Sequence, residues 1–176
     1  MFIWTGINVD SQLPGLRQRI AEMEERFRFS NSNLTLPFHI SLKMSFPVED
    51  TQAPAVIAAL EAYLTSLPAF DIPVKGVEWH ETIAWIRMRE NEELNRIHDE
   101  LNTMLSERFG IGLHEYDRDY LFHTTLFMDD DAEKVRCGYE AIKNIPLPSA
   151  LQAKRFLIGS SPEGKPGTFR TEKEIG

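Results

Sequence analysis

The chain has 176 residues, 42% of them hydrophobic and 10% aromatic, enough to fill the core of one ordinary domain. A formal net charge of -8 excludes a protein that coats long nucleic acid, because that affinity comes from lysines and arginines displacing counterions along many phosphates; a short nucleotide in a locally basic cleft remains compatible. The single cysteine excludes an internal disulfide, and no apolar run approaches the roughly 18 to 20 residues of a membrane span, so a cytoplasmic monomer with no membrane partner is expected.

The opening run, residues 2–9, is β-rich and lacks a basic leader, so it reads as a strand and not as a signal peptide. Turn chemistry at Asp10, Ser11, Pro14 and Gly15 hands over to an amphipathic helix in which Leu16, Ile20, Met23 and Phe27 recur at helical spacing. A polar stretch, 30–33, precedes a strand over 37–44, and Asp50, Thr51 and Pro54 lead in a second helix that turns Val56, Leu60, Tyr63 and Leu64 inward. Strands over 70–79 and 82–89 follow, separated by His80 and Glu81. Asn91 caps a long helix with Leu94, Ile97, Leu101, Met104 and Leu105 on one face, and Gly110 stops it. After a polar loop, 114–119, comes a strand over 121–128, then a helix begun by Asp130 or Asp131 and running to about residue 144. Residues 150–160 and 168–173 are predicted to close as a hairpin around 162–167.

An internal repeat organises this order. Phe38-His39-x-Ser41-Leu42-x-Met44 matches Phe122-His123-x-Thr125-Leu126-x-Met128 position by position, about half a chain apart, and each copy follows strand, helix, polar loop and strand. The expectation is a single bilobal domain over 1–176, with approximate lobes 1–80 and 81–176 between which strands are free to exchange.

Side chains alternate faces along a strand, so His39, Ser41 and Lys43 are predicted on one face, and His123, Thr125 and Phe127 on the corresponding face of the second copy. Two such faces packed about a pseudo-twofold axis would gather two imidazoles and two hydroxyls. That set suits a phosphodiester: one histidine takes a proton from water while the other protonates the departing alkoxide, both near neutral pH. The hydroxyls of Ser41 and Thr125 can donate to the non-bridging oxygens. No step requires a metal, and there is no His-Glu-x-x-His or cysteine cluster.

With these motifs the chain resembles the two-histidine phosphoesterase superfamily, which includes the 2′,5′ RNA ligase-like proteins and the cyclic nucleotide phosphodiesterases. The pattern of two His-x-Ser/Thr-x motifs is met by His39-Ile40-Ser41-Leu42 and His123-Thr124-Thr125-Leu126. The resemblance implies an α+β, bilobal duplicated fold, two antiparallel sheets with outer helices facing each other across a central cleft. It also implies that His39 and His123 are catalytic and that Ser41 and Thr125 bind phosphate, with no cofactor. Family substrates include 2′,3′-cyclic phosphates, 2′-5′ linkages and the cyclic phosphate of ADP-ribose.

Four further residues are candidates for substrate contact. Trp4 and Trp85 stand on corresponding strands ahead of the two motifs and could flank the cleft to stack on a base or ribose, or simply fill the core. Arg87, on the face of Trp85, and Lys43 could each bring a cation to phosphate. His98 reads as a packed or half-exposed helical side chain, His80 as a turn residue and His114 as a residue of the polar loop before the second motif, from which it could reach the cleft mouth. The function expected is metal-independent hydrolysis of a cyclic phosphate or 2′-5′ diester on a small nucleotide or RNA terminus. The alternatives are reversible 2′-5′ joining of RNA ends, a non-catalytic nucleotide or RNA-end binding module, and a two-histidine metal site completed by His114 or Asp119.

Overall fold

The computed structural model describes residues 1–165 and 167–176. In chain order the elements are β1 (Phe2–Asn8), α1 (Leu16–Phe27), β2 (Asn31–Ser32), β3 (His39–Pro47), α2 (Ala53–Thr65), β4 (Phe70–His80), β5 (Ile83–Met88), α3 (Glu92–Phe109), β6 (His123–Met128), α4 (Ala132–Ile142), β7 (Ala150–Ala153), β8 (Phe156–Ser161) and β9 (Arg170–Ile175). A short 3₁₀ turn, Glu115–Asp117, interrupts the loop between α3 and β6. Helix boundaries follow local chemistry. The Asn91 side chain accepts from the Leu94 N–H at 3.0 Å, Gly110 ends α3 in the left-handed region at φ 68°, and the Asp131 carboxylate accepts from the Glu133 and Lys134 N–H groups to start α4.

The strands form two antiparallel sheets, ordered β3-β1-β8-β9 and β2-β6-β5-β4-β7. This is an α+β fold whose sheets do not follow a cut at residue 80. The early strands β2 and β4 lie in the second sheet, and the late strands β8 and β9 complete the first. The helices cross over in the same way. Residues of α2 and α3 contact the first sheet, and α4 contacts β4 and β5 of the second while α1 packs on α4 and β2. One continuous apolar cluster, including Ile3, Ile40, Leu60, Leu101, Ile86 and Leu126, runs through both halves. Such interlocking leaves neither half a separate core to fold around.

The expected hairpin over 150–160 and 168–173 is corrected in one respect. Its first arm breaks at Lys154 and Arg155 into β7, which pairs with β4 in the second sheet, and β8, which pairs with β1 and β9 in the first. Strand β9 lies at a sheet edge and alternates charges through Arg170, Glu172, Lys173 and Glu174, which discourages pairing with another chain. Among the described residues no helix is long and apolar enough to cross a membrane.

Candidate active site

The two motif strands meet where the sheets join. β3 and β6 are in contact, and the Thr124 hydroxyl donates to the His39 backbone carbonyl at 3.0 Å, a bond from one motif to the other. Residues Phe38, Ile40 and Leu42 are buried beneath β3, and Phe122, Thr124 and Leu126 beneath β6, so His39, Ser41, His123 and Thr125 occupy the opposite, partly exposed faces.

The two imidazoles are held alike. His39 Nδ1 lies 2.8 Å from the Pro37 carbonyl and His123 Nδ1 lies 2.6 Å from the Leu121 carbonyl, each two residues upstream. A carbonyl only accepts, so both rings carry their proton on Nδ1 when neutral and leave Nε2 as the nitrogen with a lone pair to offer. Behind each ring stands a tryptophan. Trp4 tilts against His39 with centroids 4.5 Å apart and Trp85 against His123 at 4.9 Å, at interplanar angles of 36° and 38°. Both indole N–H groups are buried without a hydrogen-bond partner among the described residues. Trp4 is only 4% exposed, so its indole backs an imidazole and has no open face for a base, which corrects the stacking role considered for it. Trp85 is half-buried and stacks also on His80 at 6.5 Å.

Burial depresses the proton affinity of both histidines below that of a free imidazole; the Pro37 and Leu121 carbonyls oppose this by favouring the protonated ring. The neighbouring His123 adds to the depression at His39, and the Arg87 guanidinium adds to that at His123. Arg87 pairs across from His123 in the β5–β6 ladder and is half-buried, with its Nε donating to the Met88 carbonyl at 3.2 Å. It brings a positive charge to the histidine face.

Lys43 is placed differently from the expectation. Between the pairs Gly6↔Ser41 and Thr5↔Lys43, β3 contributes one residue more than β1, and this bulge buries Leu42 and Lys43 in succession. The lysine is turned from the face of His39 into the interior, 1% exposed, where its ammonium pairs with the buried Asp117 carboxylate. Strand β6 repeats the irregularity between Trp85↔Thr125 and Ala84↔Phe127, burying Leu126 and Phe127, and Phe127 stacks on Phe29 at 4.1 Å. Phe127 therefore also leaves the face predicted for it. The duplication extends to the bulge, which strict alternation along a strand cannot reveal.

His98 is buried as expected, its Nδ1 2.8 Å from the Leu42 carbonyl and its Nε2 3.1 Å from the Asp117 carbonyl. His114 begins the 3₁₀ turn, where its ring accepts from the Tyr116 N–H, and the Asp117 carboxylate accepts from its own N–H. Among the described residues no group of three or more His, Cys, Asp or Glu side chains is placed to hold a metal ion.

Gly6 is where β1 must stay bare. An added Cβ would lie 2.8 Å from the Ile40 carbonyl oxygen and 3.3 Å from both the His39 and Trp4 rings. Gly6→Ala is expected to force the motif strand outward, costing about 1–3 kcal/mol and reducing turnover with it. Thermal unfolding and an activity assay check this; a variant unchanged in both would show that the strand yields freely.

Residues 13–159 match the family model described as the 2′-5′ RNA ligase superfamily. No curated protein matches the chain in sequence. Among solved structures, TT0787 of Thermus thermophilus is similar at a TM-score of 0.61 and 18% identity, covering 99% of this chain and 97% of that one. E. coli LigT complexed with 3′-AMP is similar at a TM-score of 0.60 and 18% identity, covering 98% of this chain and 95% of that one. At such identity the likeness is one of fold.

Proposed function

Because the chain belongs to the 2′-5′ RNA ligase superfamily, the two-histidine phosphoesterases, we propose that it hydrolyses a ribose cyclic phosphate or 2′-5′ phosphodiester by acid–base catalysis from His39 and His123, without a metal. The observation that carries this reading is the matched pair of imidazoles, each anchored through Nδ1 and presenting Nε2 beside a hydroxyl-bearing residue two positions on.

The pair works while it holds one proton. The neutral Nε2 accepts a proton from water as the water oxygen attacks phosphorus, and the protonated ring donates to the ribose oxygen that leaves. Ser41 and Thr125 donate to the non-bridging oxygens, where negative charge accumulates. Arg87 supplies the cation for that charge, since the ammonium of Lys43 is already paired with Asp117. A chain of net charge -8 favours a short substrate over a long RNA, which weighs hydrolysis of a nucleotide or a terminus above end-joining. A similarly folded protein, E. coli LigT, is complexed with 3′-AMP, a ligand of the proposed size.

The pH dependence tests this reading. The active form is the singly protonated pair, and burial lowers the proton affinity of both rings. As pH rises, the last proton therefore leaves the pair earlier than it would leave a free imidazole. The kcat/KM profile on a 2′,3′-cyclic nucleotide in EDTA is therefore expected to be bell-shaped, with its alkaline limb below about pH 6.5. Arg87→Met should move the limbs toward higher pH while lowering kcat/KM. A profile flat from pH 5 to 8 would count against the histidine pair.

A further inference from the structure

The two motif strands belong to different sheets, so no ladder fixes their spacing. β3 is the edge strand of the first sheet, and alternate carbonyls of such a strand point away from its one neighbour. The Phe38 carbonyl accepts from the Val9 N–H just past β1, and the Ile40 carbonyl oxygen lies 2.8 Å from where a Cβ on Gly6 would stand. Both point toward β1, so the His39 carbonyl between them faces outward, across the seam to β6. There it accepts from the Thr124 hydroxyl at 3.0 Å, the one hydrogen bond between β3 and β6 among the described residues.

A hydroxyl is costly at position 124 unless it is bonded. Thr124 is fully buried on the core-facing side of β6, and the matching position of the first motif is Ile40, also fully buried. Isoleucine has no group to return, so the tie runs one way, from the second motif to the first. Another outward carbonyl of β3, that of Leu42, has a partner as well, His98 Nδ1 at 2.8 Å, but that bond leads to α3. Only the Thr124 bond leads to the strand of the other histidine. Thr124 follows His123 directly and grips the peptide of His39 itself, so its length governs how far apart the two histidine backbones stand.

We propose that Thr124 is a positioning residue for the histidine pair: its hydroxyl holds the His39 backbone against β6 and so sets the separation of His39 and His123. The inference rests on the phosphoesterase reading of the site. An acid and a base acting on two oxygens of one phosphorus must each come within hydrogen-bond reach of its own, so the separation bears on the rate and not on the fold alone.

The test compares crystal structures and steady-state kinetics of wild type, Thr124→Val and Thr124→Ser. Valine keeps the shape but offers a methyl, which needs about 3.3–3.6 Å from a carbonyl oxygen where the hydroxyl stands at 3.0 Å, so the two histidine backbones should part by about 0.5 Å. On any diester the wild type turns over, a displacement of that size is expected to lower kcat about tenfold with KM nearly unchanged. Serine restores the donor and should return both the separation and kcat to near the wild type. An unchanged separation in Thr124→Val, an unchanged kcat where the separation has grown, or a serine variant no better than the valine one would each overturn the proposal. A separation that follows the hydroxyl, in a protein that hydrolyses no diester, would leave Thr124 its role and remove the hydrolytic reading instead.

Discussion

Replacing His39 or His123 by alanine is expected to lower turnover by about two to four orders of magnitude, the usual worth of a positioned general acid or base. The fold should survive. Each imidazole lies on a partly exposed face and makes its hydrogen bond through Nδ1 to the backbone two residues back, just ahead of its own strand, so its loss orphans no distant group. The tryptophan behind each ring would gain a solvent-facing side, which costs little beside a cavity in the core. In the proposed mechanism the two histidines act on one event, so the double variant should be hardly worse than the poorer single one. Steady-state kinetics beside thermal unfolding check both halves of this result. Undiminished turnover in either single variant would remove the mechanism.

Asp117→Ala should produce the largest change in stability. It strips the partner from an ammonium that is 1% exposed and releases the His114 N–H, which the carboxylate accepts from at 2.7 Å. Removing one member of a buried ion pair typically costs 3–5 kcal/mol, against total stabilities of about 5–15 kcal/mol, so a fall in melting temperature of roughly 10 °C or more is expected. The cause is the stranded charge and not the lost attraction. Lys43→Met with Asp117→Asn, which removes both charges and keeps an oxygen for the His114 N–H, should therefore recover most of the loss. A double variant as unstable as Asp117→Ala would assign the cost to the geometry of the turn instead.

What could be read from the chain beforehand depended on the range of the interaction that determines it. The caps Asn91 and Asp131, the stop at Gly110 and the repeated motifs are local, and their chemistry is complete within a few residues. The bulges were not legible, because alternation assumes one residue opposite one, and only the consecutive apolar pair Leu126-Phe127 hinted that a strand turns twice toward the core. Asp117 was hidden by its surroundings. A carboxylate in a polar loop reads as solvated, and its partner Lys43 is far off in sequence; a lysine in the middle of an apolar strand was the one signal. The parting of β7 from β8 had a clearer mark in Lys154 and Arg155, charges that no buried continuous strand would carry together.

Matching environments at His39 and His123 also bear on specificity. The Trp4 side is closed, whereas the Trp85 side carries Arg87 and a half-buried indole. In the proposed reading an anionic substrate finds its cation on the second motif's side, so the site is symmetric in its two histidines and polar in how it orients a diester.

The most direct measurement is an assay in EDTA comparing wild type with His39→Ala/His123→Ala on 2′,3′-cyclic nucleotides, 2′-5′ dinucleotides and the cyclic phosphate of ADP-ribose. The account predicts turnover of at least one by the wild type, unaffected by the chelator and lost in the variant. Activity that EDTA abolishes, or that survives loss of both histidines, would contradict it.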